Sequence, residues 1–187
     1  MENLGNVFYF DWELDLLHWF QSIHNPILDF IVPKITFLGN GGWFWIAIVI
    51  ALLILKSTRK LGIQSAIALV VSAIICNLIL KHAFMRCRPC WLEPEIQLLV
   101  KIPHDFSFPS GHSNASFAVA TAIFTRNRKW GLPALILAAM IAVSRLYVFV
   151  HWPTDVIVGI FTGTVCGIAS FYIFDRFNKI SFKKAGE

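Results

Sequence analysis

Five apolar stretches, at roughly residues 42–55, 61–83, 113–124, 132–150 and 154–174, leave this chain few ways to fold. Their only Lys, Arg, Asp or Glu residues are Lys81, Arg145 and Asp155. A helix needs ~20 apolar residues to span a bilayer core, and in lipid each spanning segment must satisfy its own backbone hydrogen bonds. With 57% hydrophobic and 14% charged residues among 187, and a mean hydropathy of +0.65, the chain is too apolar for an ordinary soluble domain. The expected fold is all-α, a polytopic membrane bundle of about six transmembrane helices. The sixth is Pro26–Leu38, weakened by Asp29, Pro33 and Lys34; the alternative is five spans plus an interfacial or re-entrant N-terminal segment. The runs at 42 and 113 are short, so they must extend into neighbouring residues or sit where protein lines a polar site.

Three units are expected. In residues 1–25, Trp12, Leu16, Trp19, Phe20 and Ile23 recur at helical spacing with Asp15, His18 and Ser22 off the stripe, the pattern of an amphipathic interfacial segment. Residues 26–175 form the transmembrane unit and 176–187 a basic tail. Met1 to Phe10 contain Glu2 and no Lys or Arg. A signal peptide's basic leader is therefore missing, and the first hydrophobic segments are expected to stay in the mature protein.

Positive charge predicts orientation. Lys56, Arg59 and Lys60 lie in one connection, Arg126, Arg128 and Lys129 in another, and Arg176, Lys179, Lys183 and Lys184 follow the last run. These clusters hold ten of the sixteen Lys and Arg residues and belong on the cytoplasmic side under the positive-inside rule. The isoelectric point of about 9.2 therefore implies no nucleic-acid partner. Alternation places residues 81–110 and the turn at His151 and Trp152 on the outer side.

The residues on that outer side are the costly ones. Ser144-Arg145-x5-His151-x3-Asp155 sets an Arg, a His and a carboxylate beside hydrocarbon, where ionisable groups mark a functional site. If helical, Asp155 shares a face with His151 and can fix its tautomer. Lys81-x6-Arg88-Pro89 adds two cations at the same membrane edge, and three cations can clamp a phosphate. Pro109-Ser110-Gly111-His112 opens the run at 113, where free backbone N–H groups also suit an anion. Without its His, that tetrapeptide reads as a helix entry, with Ser110 as cap and Pro109 as boundary.

Together, and in this order, the three motifs resemble the type 2 phosphatidic acid phosphatase family, membrane relatives of vanadium haloperoxidases and bacterial acid phosphatases. The resemblance covers Lys81 to Asp155, with no departure inside the motifs. It implies His151 as nucleophile forming a phosphohistidine, Asp155 as its orienting partner and His112 as general acid. Lys81, Arg88, Ser110, Gly111 and Arg145 would be the phosphate cradle. No metal and no cofactor is implied. The implied partner is a phosphorylated membrane lipid in the bilayer, and the implied place is the cell membrane with the site on its extracytoplasmic face. Compact members of the family point to undecaprenyl diphosphate; phosphatidylglycerophosphate, phosphatidic acid and diacylglycerol diphosphate are alternatives. A non-enzymatic transporter or binder of anionic lipids would explain the cations but not His112, His151 and Asp155. Oligomeric state is left open.

Other features have plainer readings. Cys87-x2-Cys90 lacks the context of a redox or zinc motif, leaving a disulfide or free thiols, and Cys76 and Cys166 read as small core residues. Glu93 and Glu95 read as solvated loop charges, with Asp105 in the same loop. His82 and His104 have no motif partner. Trp12, Trp19, Trp43, Trp45, Trp91 and Trp152 mostly flank apolar runs, as interface anchors do. Gly159, Gly163 and Gly167 form a row for close helix packing.

Overall fold

The computed structural model describes residues 5–184, with side chains described through Arg176. Among these residues the fold is helical, with no strand beyond an isolated bridge between Asn6 and Arg86. In chain order the helices are α1 (Asp11–Ser22), α2 (Pro26–Leu38), α3 (Trp43–Ile54), α4 (Arg59–Ala73), α5 (Lys81–Phe84), α6 (Pro89–Leu92), α7 (Gly111–Arg126), α8 (Arg128–Tyr147) and α9 (Pro153–Lys184). Among the described residues, three spans are long and apolar enough to cross a membrane: Arg59–Phe84, Arg128–Tyr147 and Pro153–Arg176. A fourth is added if α2 and the segment Asn40–Ile54, bent by 46° at their junction, count as one.

The helical membrane bundle is as expected, and the count by length and apolarity falls below about six because three of the helices are short. α2 has 13 residues, α3 has 12 and α7 has 16, so at ~1.5 Å per residue none alone covers a ~30 Å hydrocarbon core. α7 is nevertheless the central helix, packed on α4, α8 and α9. Its small residues permit this: Ser113, Asn114, Ser116, Ala118, Ala120 and Ala122 are all buried. The facing row on α9 needs glycine for space. A Cβ at Gly163 would lie 2.3 Å from the Asn114 carbonyl oxygen, and one at Gly167 2.6 Å from Thr121. The glycine row thus serves packing within the chain.

The interface reading needs correction at two tryptophans. Trp45 and Trp152 are core residues, not interface anchors: both are buried, and their indole N–H groups donate to Ser116 Oγ and the Cys87 carbonyl, each at 2.8 Å. α1 forms, with Glu13 and Leu17 buried against the bundle and Trp12 and Trp19 of the apolar stripe exposed. α9 continues beyond Phe174 to Lys184, into the expected basic tail; of that tail, residues 185–187 and the side chains after Arg176 lie outside the described residues. All four cysteines are free and buried, so Cys87 and Cys90 form no disulfide.

The helix order separates the two ends of the bundle. Residues 55–58 and Asn127, flanked by the first two basic clusters, lie at one end, where Arg126 donates to Asp175 at 2.6 Å and to Gln64. Lys81, Gly111, Arg145 and Pro153 lie at the other ends of the same helices.

Candidate active site

Four helix ends and two loops build a cavity of about 610 Å³ at that second end. Lys81 follows a stretch of π-helix, Ile74–Leu80, whose wider turns are rare and concentrate at functional sites. Arg88 directly precedes α6, Gly111 and His112 open α7, and Arg145 lies in the last turn of α8. His151 stands in the connection before α9. All six residues line the cavity, with Thr36, Phe37 and Asn40 on the side of α2 and residues 99–103 and Asp105 on the loop side.

Charge in the cavity is one-sided. Lys81, Arg88, Lys101 and Arg145 face a single acidic lining residue, Asp105. Arg88 is almost wholly buried; its Nε donates to the Asp105 carbonyl at 2.7 Å, its Nη2 to Asp105 Oδ1 at 2.8 Å, and its Nη1 to the Val150 carbonyl at 2.6 Å. The same Nη1 lies 3.2 Å from His151 Nε2. Lys81 pairs with the other Asp105 oxygen. Arg145 donates to Thr36 Oγ1 at 2.5 Å, and its buried Nε has no partner among the described residues. Burial raises the Asp105 carboxyl, but Arg88 and Lys81 outweigh it and hold the group well below the usual carboxylate range. Asp105 thus stays ionised between the two cations, where an anionic ligand's oxygens would compete with it.

The two histidines are held differently. His151 is buried, with Nδ1 3.4 Å from Asp155 Oδ2 and 3.4 Å from Ser107 Oγ. Asp155 Oδ2 also accepts from the Trp152 N–H at 2.9 Å and from Ser107. The pair does not share a helix face as the spacing implies. His151 precedes α9, which starts at Pro153, and Asp155 sits at the third helical position reaching back to the residue before the helix, half of a capping box. His112 Nε2 is 2.9 Å from Asn40 Oδ1. A Cβ at Gly39 would stand 2.5 Å from the His112 ring, so glycine there lets the α2–α3 connection close over it.

Ser110 is the one cradle candidate that turns away. It is buried, and its Oγ accepts from the Ser113 N–H and hydroxyl at 3.4 and 3.0 Å, which makes it a helix cap outside the cavity lining. Asp155 lies behind His151, also outside the lining. Sequence reasoning missed Asp105, Ser107, Thr36 and Asn40, whose motif-free neighbourhoods carry no signal. It also missed Arg86 and Glu13. Arg86 Nη1 donates to Asp155 Oδ1 and Nη2 to Glu13 Oε2, both at 2.7 Å, and all three side chains are buried. Arg86 lies two residues before Arg88, inside the first motif, and its charge beside an apolar run was the available clue. Glu93 is not simply solvated: its Oε2 lies 2.8 Å from His18 Nε2. His82 and His104 are exposed and outside the lining. No group of three or more His, Cys, Asp or Glu side chains among the described residues is placed to hold a metal ion.

A helical membrane bundle with a cationic, histidine-containing cavity at one end is the architecture of a membrane phosphatase, and known proteins of this kind match it. Residues 61–179 match the model of the PAP2 superfamily. An undecaprenyl-diphosphatase of Sulfolobus acidocaldarius is 36% identical over 141 residues, covering 74% of this chain and 68% of the relative. Among solved structures, Aquifex aeolicus LpxE superposes with a TM-score of 0.76 at 28% identity, over 87% of this chain and 96% of that one. A transmembrane PAP2-type phosphatidylglycerolphosphate phosphatase from Bacillus subtilis superposes with a TM-score of 0.70 at 21% identity, over 90% and 85% of the two chains. The chain belongs to the PAP2 superfamily, and it is a membrane phosphatase.

Proposed function

We propose that this lipid phosphatase removes a terminal phosphate through a phosphohistidine on His151, with undecaprenyl diphosphate as substrate and the monophosphate as product. The observation that carries the mechanism is the convergence of Lys81, Arg88, Arg145, His112 and His151 on one cavity. With Nδ1–H directed to Asp155, Nε2 keeps its lone pair and attacks phosphorus as the bond to the leaving oxygen breaks. His112 supplies the proton to that oxygen. Water then attacks phosphorus, His112 takes its proton, and the P–N bond breaks to release phosphate and free His151. Lys81, Arg88, Arg145 and the Gly111 amide stabilise charge on the non-bridging oxygens.

The substrate assignment draws on the Sulfolobus relative and on the cavity's size and charge. Lys101 at the loop side adds a cation beyond the three of the motifs, suited to a diphosphate's second phosphate. An extracytoplasmic cavity is supported by the basic clusters at the opposite end of the bundle, under the positive-inside rule.

Burial, then Arg88, Arg145 and Lys81, hold the His151 imidazole well below its ordinary value of 6.5. A lowered value keeps the lone pair free as pH falls, and activity is lost only on passing the lowered value. The acid limb of kcat/KM for His151 therefore lies below pH ~6.5 in a pH–rate profile; a limb at or above that pH would contradict the assignment.

The deciding experiment offers purified protein a polyprenyl diphosphate, phosphatidylglycerophosphate and phosphatidic acid, with and without EDTA, and measures released phosphate. The highest kcat/KM is expected for the diphosphate, unchanged by EDTA. Preference for another lipid would replace the substrate, and loss of activity in EDTA would sink the metal-free mechanism.

A further inference from the structure

Asp155 Oδ1 and Oδ2 have separate duties. Oδ2 faces His151, Ser107 and the Trp152 N–H, while Oδ1 takes Arg86. The Arg86 guanidinium is shared onward with Glu13, which comes from α1, outside the residues matched by the family model. Glu13 is itself fixed at both oxygens. Oε1 accepts from the Thr154 N–H at 3.0 Å and the Thr154 hydroxyl at 2.6 Å, and Oε2 accepts from the Phe10 N–H at 3.0 Å. The chain around Asn6 closes over the other side. Asn6 N–H donates to the Met85 carbonyl at 2.8 Å, Arg86 Nε donates to the Phe8 carbonyl at 2.9 Å, and Tyr9 stacks on Trp152 with ring centroids 4.7 Å apart.

The charge arrangement gives this chain of contacts a purpose. An arginine alone beside Asp155 would formally cancel the carboxylate and weaken its support for positive charge on the His151 ring. A second carboxylate on the far side of the guanidinium restores one net negative charge to the group, since −1, +1 and −1 sum to −1, in a buried place where Coulomb interactions are strong.

We infer that Glu13 and Arg86 are positioning residues for the phosphatase reaction: they orient Asp155 and keep it effective toward His151, so that docking of α1 is a condition of turnover. The inference rests on the reading of His151 and Asp155 given above. Neither residue lines the cavity, so substrate affinity is expected to be spared.

The test is a double-mutant comparison on the full chain, with a polyprenyl diphosphate as substrate and inorganic phosphate as competing ligand. Glu13→Gln and Arg86→Met are each expected to lower kcat by about 10–100-fold, with KM and phosphate inhibition within about twofold of the parent and Arg86→Lys recovering part of the loss. In an Asp155→Asn background, the same two substitutions are expected to lower kcat by less than about twofold, because the group they act through is gone. Equal losses in both backgrounds would show a merely structural role and overturn the inference. Glu13→Gln, nearly isosteric, carries the comparison if Arg86→Met does not fold. If Asp155→Asn alone kept full turnover, the mechanism proposed for the site would fail first, an outcome distinct from equal losses.

Discussion

His151→Ala is expected to lose phosphate release by roughly 10⁴-fold or more, the scale seen when a nucleophile is removed, while the protein stays folded and still binds the substrate's phosphate. The neighbours explain why the fold survives. Without the imidazole, Arg88 keeps Asp105 and the Val150 carbonyl, and Asp155 keeps Arg86, Ser107 and the Trp152 N–H. No buried charge is left alone, which is the circumstance that makes such truncations unfold proteins. Turnover, thermal melting and equilibrium binding of the unreacted substrate measure the three parts. A His151→Ala protein with normal phosphate release would remove the nucleophile from the mechanism.

Arg88→Ala is expected to lower kcat/KM by about 10²–10³-fold, the cost of removing one donor aimed at transition-state charge. Arg88→Lys is expected to recover little. Arg88 reaches Asp105 and Val150 with three different nitrogens in a fixed plane, and an ammonium supplies charge without that fork. Asp105, freed from one of its two cations, keeps Lys81. Steady-state kinetics on both variants measure the effect, and a loss below tenfold for the alanine variant would argue that Lys81 and Arg145 suffice without Arg88.

The sequence was informative where solvation cost rules. Lys81, Arg88, Arg145 and His151 stood out because each is expensive beside hydrocarbon, and cost of that kind is visible without coordinates. The ends of the long helices were near expectation for the same reason: the run at 61–83 became Arg59–Phe84 and that at 132–150 became Arg128–Tyr147. Residues whose roles depend on a distant partner were not legible. Asp105 read as loop charge because nothing in residues 93–109 records that Lys81 and Arg88 meet there. Glu13 read as part of an interfacial segment because its partners, Arg86 and Thr154, are 73 and 141 positions away. Trp45 and Trp152 were misplaced on similar grounds, since an indole at the end of an apolar run suits an interface equally well until Ser116 and the Cys87 carbonyl are seen to accept from it.

By itself, then, the sequence determined that this chain is a helical membrane phosphatase, because hydropathy, charge clusters and three spaced motifs act locally along the chain. Tertiary structure decided what those motifs meet. It turned Ser110 from the cavity into a helix cap, moved the His151–Asp155 pair from a helix face to a helix entry, and brought Glu13, Arg86 and Asp105 to the site. The reason is physical: hydrocarbon solvation is felt by each residue alone, whereas ion pairs and hydrogen bonds fall off within a few ångströms and join residues only after the helices have packed.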